Sequence, residues 1–112
     1  MTESVQIYGF GSRFHGKTPA RDVDLLIVHS NVGSASCNFA IYCKQLLSAA
    51  VPNADITMLS RDEEADLGFI TQSFAMSIGH VCSGNVKEDV EQIGLIIADH
   101  AHGLRRKNVD AM

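Results

Sequence analysis

Two neighbouring segments near the start of the chain constrain its fold more than any other feature. The first is residues 8–16 (YGFGSRFHG), and the second opens at Asp22 and continues as the apolar run 25–28. Because side chains alternate along a strand, Asp22 and Asp24 point to the same side of a strand over 22–29. An unbroken apolar run is typical of a strand buried on both faces. The pattern therefore predicts two strands joined by a tight glycine turn and a polar loop.

The two carboxylates at the start of the second strand are unfavourable unless another group offsets their negative charge. Asp22 and Asp24 repel each other, and burial adds a cost for removing their charge from water. A divalent cation, which prefers carboxylate oxygens, offsets both costs. The turn at Gly11 and Ser12 offers backbone N–H groups and a hydroxyl that suit phosphate oxygens. A metal beside phosphate indicates nucleotide chemistry.

These residues resemble the signature of a known family. Gly11-Ser12, nine further residues and then Asp22-Val23-Asp24 resemble the polymerase-beta-like nucleotidyltransferase superfamily, and most of all its small single-domain branch, the minimal nucleotidyltransferases. The family pattern includes a third carboxylate on a later strand with apolar neighbours. Segment 54–59 (ADITML) supplies it as Asp55. The resemblance extends over roughly residues 5–60 and is weak beyond them.

The resemblance implies an enzyme and its metal. A nucleoside monophosphate would move from an NTP, with ATP as the expected donor, to a hydroxyl group of an acceptor. Asp22, Asp24 and Asp55 would form both the catalytic set and the metal-binding set. They would hold Mg²⁺, with Mn²⁺ as a possible substitute.

The same resemblance implies a nucleotide-binding set. Gly11 and Ser12 would hold the β- and γ-phosphates of the triphosphate. Arg13 and Lys17 are the cations nearest to that turn in the sequence and are included in the set. Each of these two residues is also compatible with an ordinary surface position.

Three features depart from the family pattern, and the last of them concerns the acceptor. Only four residues precede Val5, whereas many members begin with a helix, and Arg21 stands where a serine commonly precedes the first aspartate. The larger enzymes add a domain that binds the acceptor, and this chain is too short for one. The resemblance to the small family members implies a partner protein as the acceptor, as in two-gene toxin–antitoxin pairs. Assembly is expected as a homodimer or with a helical partner, through the apolar stripe of a helix over 86–104.

Two other functions remain open at this point. The first is a non-catalytic binding module that uses the same fold to neutralise a partner protein. The second is a receiver-like phosphotransfer domain, which is less consistent with the chain because it needs five alternating strands and helices. A nucleic acid acceptor is not favoured, since the net charge is −4.

Composition places the chain among folded domains. With 112 residues, 46% hydrophobic and 20% charged, it is expected to form one domain, 1–112. The three cysteines include no C-x-x-C pair, which indicates reduced, mostly buried thiols rather than a disulfide framework or a zinc site. The N-terminus lacks the pattern of a signal peptide, and no apolar run has the length of a membrane span. A cytoplasmic protein is expected.

The remaining periodicity predicts an α/β (α+β) fold, a small mixed β-sheet flanked by helices. Strands are predicted over 5–10, 22–29 and 54–59, and helices over 36–50, 61–79 and 86–104. The direction of pairing between the strands on either side of the 36–50 helix is left open as parallel or mixed. Residues 5–60 would form the catalytic core, and 61–107 would form C-terminal helices. His80 is expected to occupy an ordinary structural position.

Overall fold

The structure is a computed structural model, and it describes residues 2–11, 14 and 22–110, except for the side chains of residues 100–110. Its elements, in chain order, are β1 (Ser4–Phe10), β2 (Val23–His29), α1 (Ser34–Ala50), β3 (Ala54–Ser60), α2 (Arg61–Leu67), α3 (Phe69–Ser73), β4 (Met76–Cys82) and α4 (Val86–Asp110). The helices predicted over 36–50 and 86–104 are present with slightly wider bounds.

The strands of the described residues form one sheet in the order β3-β2-β1-β4. The central strand β1 runs antiparallel to both of its neighbours, whereas β2 and β3 are parallel. A parallel pair needs a long crossover connection, and α1 supplies it. The predicted class, a small mixed sheet flanked by helices, is confirmed.

The main core lies between one face of the sheet and the helices α1 and α4. Its members are apolar and almost fully buried; they include Val5, Ile7, Val23, Leu25, Ile27, Ala40, Cys43, Leu47, Val90, Ile93 and Ile97. Leu26 and Val28 are buried as well, although they alternate to the opposite face of β2. The apolar run is therefore buried on both faces, as its composition predicted. Burial also raises the pKa of the Cys43 thiol to about 12.

The prediction of one helix over 61–79 is wrong from Gly68 onwards. The chain forms α2 and α3, which are separated by Gly68 in a left-handed conformation (φ +62°), and then β4. The register between β1 and β4 shifts by one residue beside Ile78, as at a β-bulge. Because of this shift, Ile78 and Val81 are both buried although they are three residues apart. The helix prediction depended on Leu67, Ile70, Phe74 and Ile78, whose helical spacing concealed the strand.

A capping box formed by Ser60 and Glu63 starts α2. The backbone N–H of Ser60 donates to the Glu63 carboxylate (2.8 Å), and the Glu63 N–H donates to the Ser60 hydroxyl (3.2 Å). The hydrogen bond from the Ser60 N–H is the main reason that the pKa of Glu63 is lowered. This helix start fixes the direction in which the chain leaves β3.

The long helix α4 uses most of its predicted apolar stripe inside the molecule. Val90, Ile93 and Ile97 pack into the core, whereas Leu95 and Ile96 remain exposed. Cys37, Cys43 and Cys82 are free thiols, of which only Cys43 is fully buried. Within the described ranges, none of the helices combines the length and apolar character that crossing a bilayer requires.

Candidate active site

Two of the predicted carboxylates lie side by side on adjacent parallel strands. Asp24 and Asp55 are register partners in the β2–β3 pairing, each one residue into its strand. Neighbouring strands are ~4.8 Å apart and register partners point to the same face, so the two side chains share one surface of the sheet. Asp22 precedes β2 by one residue, and its charge acts on Asp24. The three acids therefore gather at one end of the parallel pair.

The electrostatics of Asp24 reflect this grouping. Its side chain is half-buried, whereas those of Asp22 and Asp55 are exposed. The pKa of Asp24 is raised, first by burial, then by the charge of Asp55 and then by that of Asp22. The folded protein therefore disfavours the ionised form of Asp24, which lies near two other acids. A bound cation would remove that penalty.

The glycine turn lies directly against this carboxylate. Phe10 is the register partner of Asp24 across the β1–β2 pair, so Gly11 leaves the sheet beside it. Gly11 has φ +80°, and a Cβ added there would collide with Oδ2 of Asp24. The backbone angle therefore favours glycine at this position, and an added Cβ would also force the Asp24 carboxylate to move. The close approach joins the predicted phosphate-binding turn to the predicted metal-binding acids.

The chain folds back immediately after this turn. The Phe14 N–H donates to the Gly11 carbonyl (3.1 Å), and the buried Phe14 ring lies over Gly9, where a Cβ would collide with it. The two glycines of the Gly9-Phe10-Gly11 segment therefore have separate purposes. Gly9 makes room for an aromatic ring, and Gly11 makes room for the Asp24 carboxylate.

An aromatic pair lies on the same side of the sheet as the acids. The ring centroids of Phe10 and Phe69 are 5.0 Å apart, and the rings are nearly perpendicular (85°). Phe69 also lines a shallow pocket with Leu67, Gln72 and Ser73. The Ser73 hydroxyl is buried without a hydrogen-bond partner. Sequence reasoning missed this region because it treated 61–79 as one helix.

The donor set suits the predicted metal. Carboxylate oxygens are the ligands that Mg²⁺ and Mn²⁺ prefer, and Asp24 is held among like charges that a cation would relieve. The three acids are not all in mutual contact. Among the described residues, the only group of three histidine, cysteine or acidic side chains whose ligand atoms all lie within 4.8 Å of one another is His80, Cys82 and Asp89. In two-metal sites the ions lie ~3.5–4 Å apart and each ion binds only some of the ligands. All three carboxylates therefore need not contact one another.

The remaining predicted site residues cannot be placed. Ser12, Arg13 and Lys17 lie outside the described residues. The structure therefore brings together the three acids and Gly11, four members of the predicted set. The positions of the other three members stay predictions.

Comparisons with models of protein families, with curated proteins and with solved structures return no match to this chain.

Proposed function

We propose that this chain is a Mg²⁺-dependent nucleotidyltransferase that transfers a nucleoside monophosphate from an NTP, with ATP the favoured donor, to an acceptor hydroxyl. The observation that carries the proposal is the pairing of Asp24 with Asp55 and the contact of Gly11 with the Asp24 carboxylate. Acids and a glycine turn in contact provide metal ligands and phosphate-binding N–H groups at one place.

Each acid has a separate role in this proposal. Asp22 and Asp24 would hold the ion that accompanies the triphosphate, and Asp55 would share a second ion with them. Mg²⁺, when bound, would neutralise charge on the triphosphate and favour ionisation of the acceptor hydroxyl. Mn²⁺ would substitute because it accepts the same ligands.

The transfer itself exchanges one bond at phosphorus for another. The acceptor oxygen forms a bond to the α-phosphorus, and the bond between the α-phosphorus and the bridging oxygen of the leaving group breaks. The hydroxyl proton passes to a carboxylate oxygen of Asp55 and from there to solvent, and pyrophosphate leaves. The protein's contribution is alignment and proton removal.

Binding of metal and nucleotide should be mutually dependent. Mn²⁺ alone is expected to bind weakly, because the exposed acids Asp22 and Asp55 keep much of their hydration. A non-hydrolysable ATP analogue should tighten Mn²⁺ binding at least ~10-fold, since triphosphate oxygens complete the coordination shell. Titration followed by the paramagnetic effect of Mn²⁺ on water relaxation measures both constants.

Asp62→Asn is the matched control for that titration. Asp62 is exposed in the first turn of α2, beyond the opposite end of β3 from Asp55. The control should bind like the unmodified chain. Absence of saturable Mn²⁺ binding in the presence of the analogue would contradict the proposal.

A partner protein is the proposed source of the acceptor hydroxyl, and α4 offers a surface for it. Leu95 and Ile96 are 63% and 41% exposed, whereas Val90, Ile93 and Ile97 of the same helix are buried. Neighbouring exposed apolar side chains of this size favour an interface with a helical partner or a second copy of the chain. The three free cysteines also support a reducing compartment such as the cytoplasm.

Assembly through α4 has a direct test. The double variant Leu95→Lys/Ile96→Lys should convert a dimer to a monomer in light scattering, or release a co-purified partner. Val32→Lys is the control, because Val32 is 75% exposed but lies before α1. A chain that is monomeric at high concentration and recovers no partner in pull-downs would refute this part of the proposal.

Incubation with labelled ATP, Mg²⁺ and the co-purified partner distinguishes an enzyme from a non-catalytic binding module. Covalent label on the partner supports transfer. A partner that is bound and never labelled, with any of the four nucleotides, supports the non-catalytic module instead.

A further inference from the structure

We infer that His80, Cys82 and Asp89 form a second metal site, for a zinc-type transition-metal ion, at the junction of β4 and α4. Their ligand atoms all lie within 4.8 Å of one another. The site is independent of the proposed transferase activity, since none of the three residues belongs to the carboxylate group of β2 and β3.

The strand geometry brings two of the ligands together. His80 and Cys82 are two residues apart on β4, so both side chains project to the same side of the strand. β4 lies at the edge of the described sheet, beside β1 only. His80 is exposed and Cys82 is half-buried, which leaves the position open to an ion from solvent.

The third ligand is held in position by hydrogen bonds. One carboxylate oxygen of Asp89 accepts the Cys82 N–H (2.9 Å), and the other accepts the Asn85 side-chain amide (3.1 Å). Each oxygen retains a further lone pair, so both remain able to bind a metal. Such supporting donors orient a carboxylate ligand, as in established metal sites.

The turn between the strand and the helix is also fixed. The Asn85 N–H donates to the Cys82 carbonyl (3.0 Å). Ser83 and Glu3 exchange two hydrogen bonds, which attach this turn to the segment before β1. The backbone that carries Cys82 and Asp89 is therefore constrained before any ion arrives.

The ligand types indicate the class of metal. A thiolate, an imidazole and a carboxylate form a borderline-soft set that suits Zn²⁺ and Co²⁺, whereas Mg²⁺ prefers oxygen ligands alone. Tetrahedral zinc holds its ligand atoms roughly 3.3–3.8 Å apart. Closing the observed group onto an ion requires shifts of about 1 Å, which the exposed His80 side chain can make by rotation about its χ angles. Water or a partner residue would complete the fourth position.

A purely structural explanation accounts for only part of the arrangement. Asp89 could serve only to accept the Cys82 N–H near the start of α4. That role does not require His80 or the Cys82 thiol beside it. The three groups together are what a metal site requires.

Cobalt is the probe that identifies the ligands. The full chain, stripped with a chelator and kept in a non-thiol reductant, is titrated with Co²⁺. We expect one Co²⁺ per chain with a thiolate-to-cobalt charge-transfer band, displaced by Zn²⁺ and unaffected by excess Mg²⁺. Zn²⁺ should also raise the midpoint of thermal unfolding, because it binds the folded chain preferentially.

Substitutions of the proposed ligands test which side chain gives the charge-transfer band. Cys82→Ser should abolish the charge-transfer band, and His80→Gln should weaken Co²⁺ binding at least ~10-fold. Cys37→Ser replaces the other half-buried free thiol and should keep both properties, as should Asp55→Asn. Because His80 is exposed, His80→Gln tests the site even if Cys82→Ser fails to fold.

Three results would overturn the inference. They are a titration without saturable Co²⁺ binding, a charge-transfer band that survives Cys82→Ser, and displacement of Co²⁺ by Mg²⁺. The last result would place the ion on the carboxylates of β2 and β3 instead.

Discussion

Replacing Asp55 with asparagine is expected to abolish nucleotidyl transfer while ATP–Mg²⁺ binding remains within about tenfold, or ~1.4 kcal/mol. In the proposed reaction Asp55 accepts the hydroxyl proton and would help hold the second ion, whereas Asp22 and Asp24 would hold the ion that binds the triphosphate. Loss of a positioned proton acceptor typically lowers the rate by roughly 10²–10⁴-fold. Transfer of label from ATP measures the rate, and calorimetry with a non-hydrolysable analogue measures the affinity.

Asp62→Asn is the control for both measurements. It should leave the rate of label transfer and the affinity for the ATP analogue unchanged. Asparagine is close to aspartate in size, and Asp55 is exposed, so the replacement should not disturb folding. If Asp55→Asn transferred label at the unmodified rate, Asp55 would be an ordinary strand-entry residue and the proposed mechanism would be wrong.

Asp24→Asn is expected to have two opposite effects. It should eliminate both transfer and Mg²⁺-dependent nucleotide binding, because Asp24 contacts the glycine turn and pairs with Asp55. In the absence of metal it should also raise the midpoint of thermal unfolding by about 2–5 °C, since it removes a carboxylate that burial and two neighbouring charges disfavour. Gain of stability with loss of function is typical of an active site that holds like charges together.

The stability gain should depend on pH in a defined direction. The pKa of Asp24 is raised in the folded chain above its ordinary value of 3.8, so the penalty is fully present at pH values above the folded pKa. As the pH falls through the folded pKa towards 3.8, the folded state takes up the proton first and the penalty disappears. The difference in unfolding midpoint between Asp24→Asn and the unmodified chain should therefore shrink on acidification.

Two further measurements complete this test. Mg²⁺ with the ATP analogue should stabilise the unmodified chain and leave Asp24→Asn unaffected. Asp62→Asn should gain no stability in the metal-free state. A metal-free Asp24→Asn variant that is less stable than the unmodified chain at neutral pH would show that the Asp24 carboxylate supports the fold rather than strains it.

Local sequence pattern was sufficient to predict the first three strands, the crossover helix and the placement of Asp22 and Asp24 at the start of the second strand. Alternation of side chains predicts Asp22 and Asp24 on one side of the second strand, and the apolar run that follows is typical of a strand buried on both faces of a sheet. Gly11 was predicted for phosphate contact, and the structure adds a second reason for it, the close approach of the Asp24 carboxylate. These features are local in sequence, which is why the pattern contains them.

The sequence by itself determined a mixed α+β fold and one acidic strand end, because strand alternation and continuous burial appear directly in residue order. Only the tertiary structure decided that Asp55 is the register partner of Asp24, since register depends on how α1 returns the chain to the sheet. It also decided the identity of β4, because Ile78 continues the helical spacing of Leu67, Ile70 and Phe74 in sequence but lies on a strand that pairs with β1 in the fold. The predicted helix ended at residue 79 and left residues 80 and 82 outside any element; on a strand they share a side, and the start of α4 then adds Asp89. The His80–Cys82–Asp89 group therefore could not be predicted without the fold, since its members meet only after β4 joins the sheet edge and α4 turns back beside it.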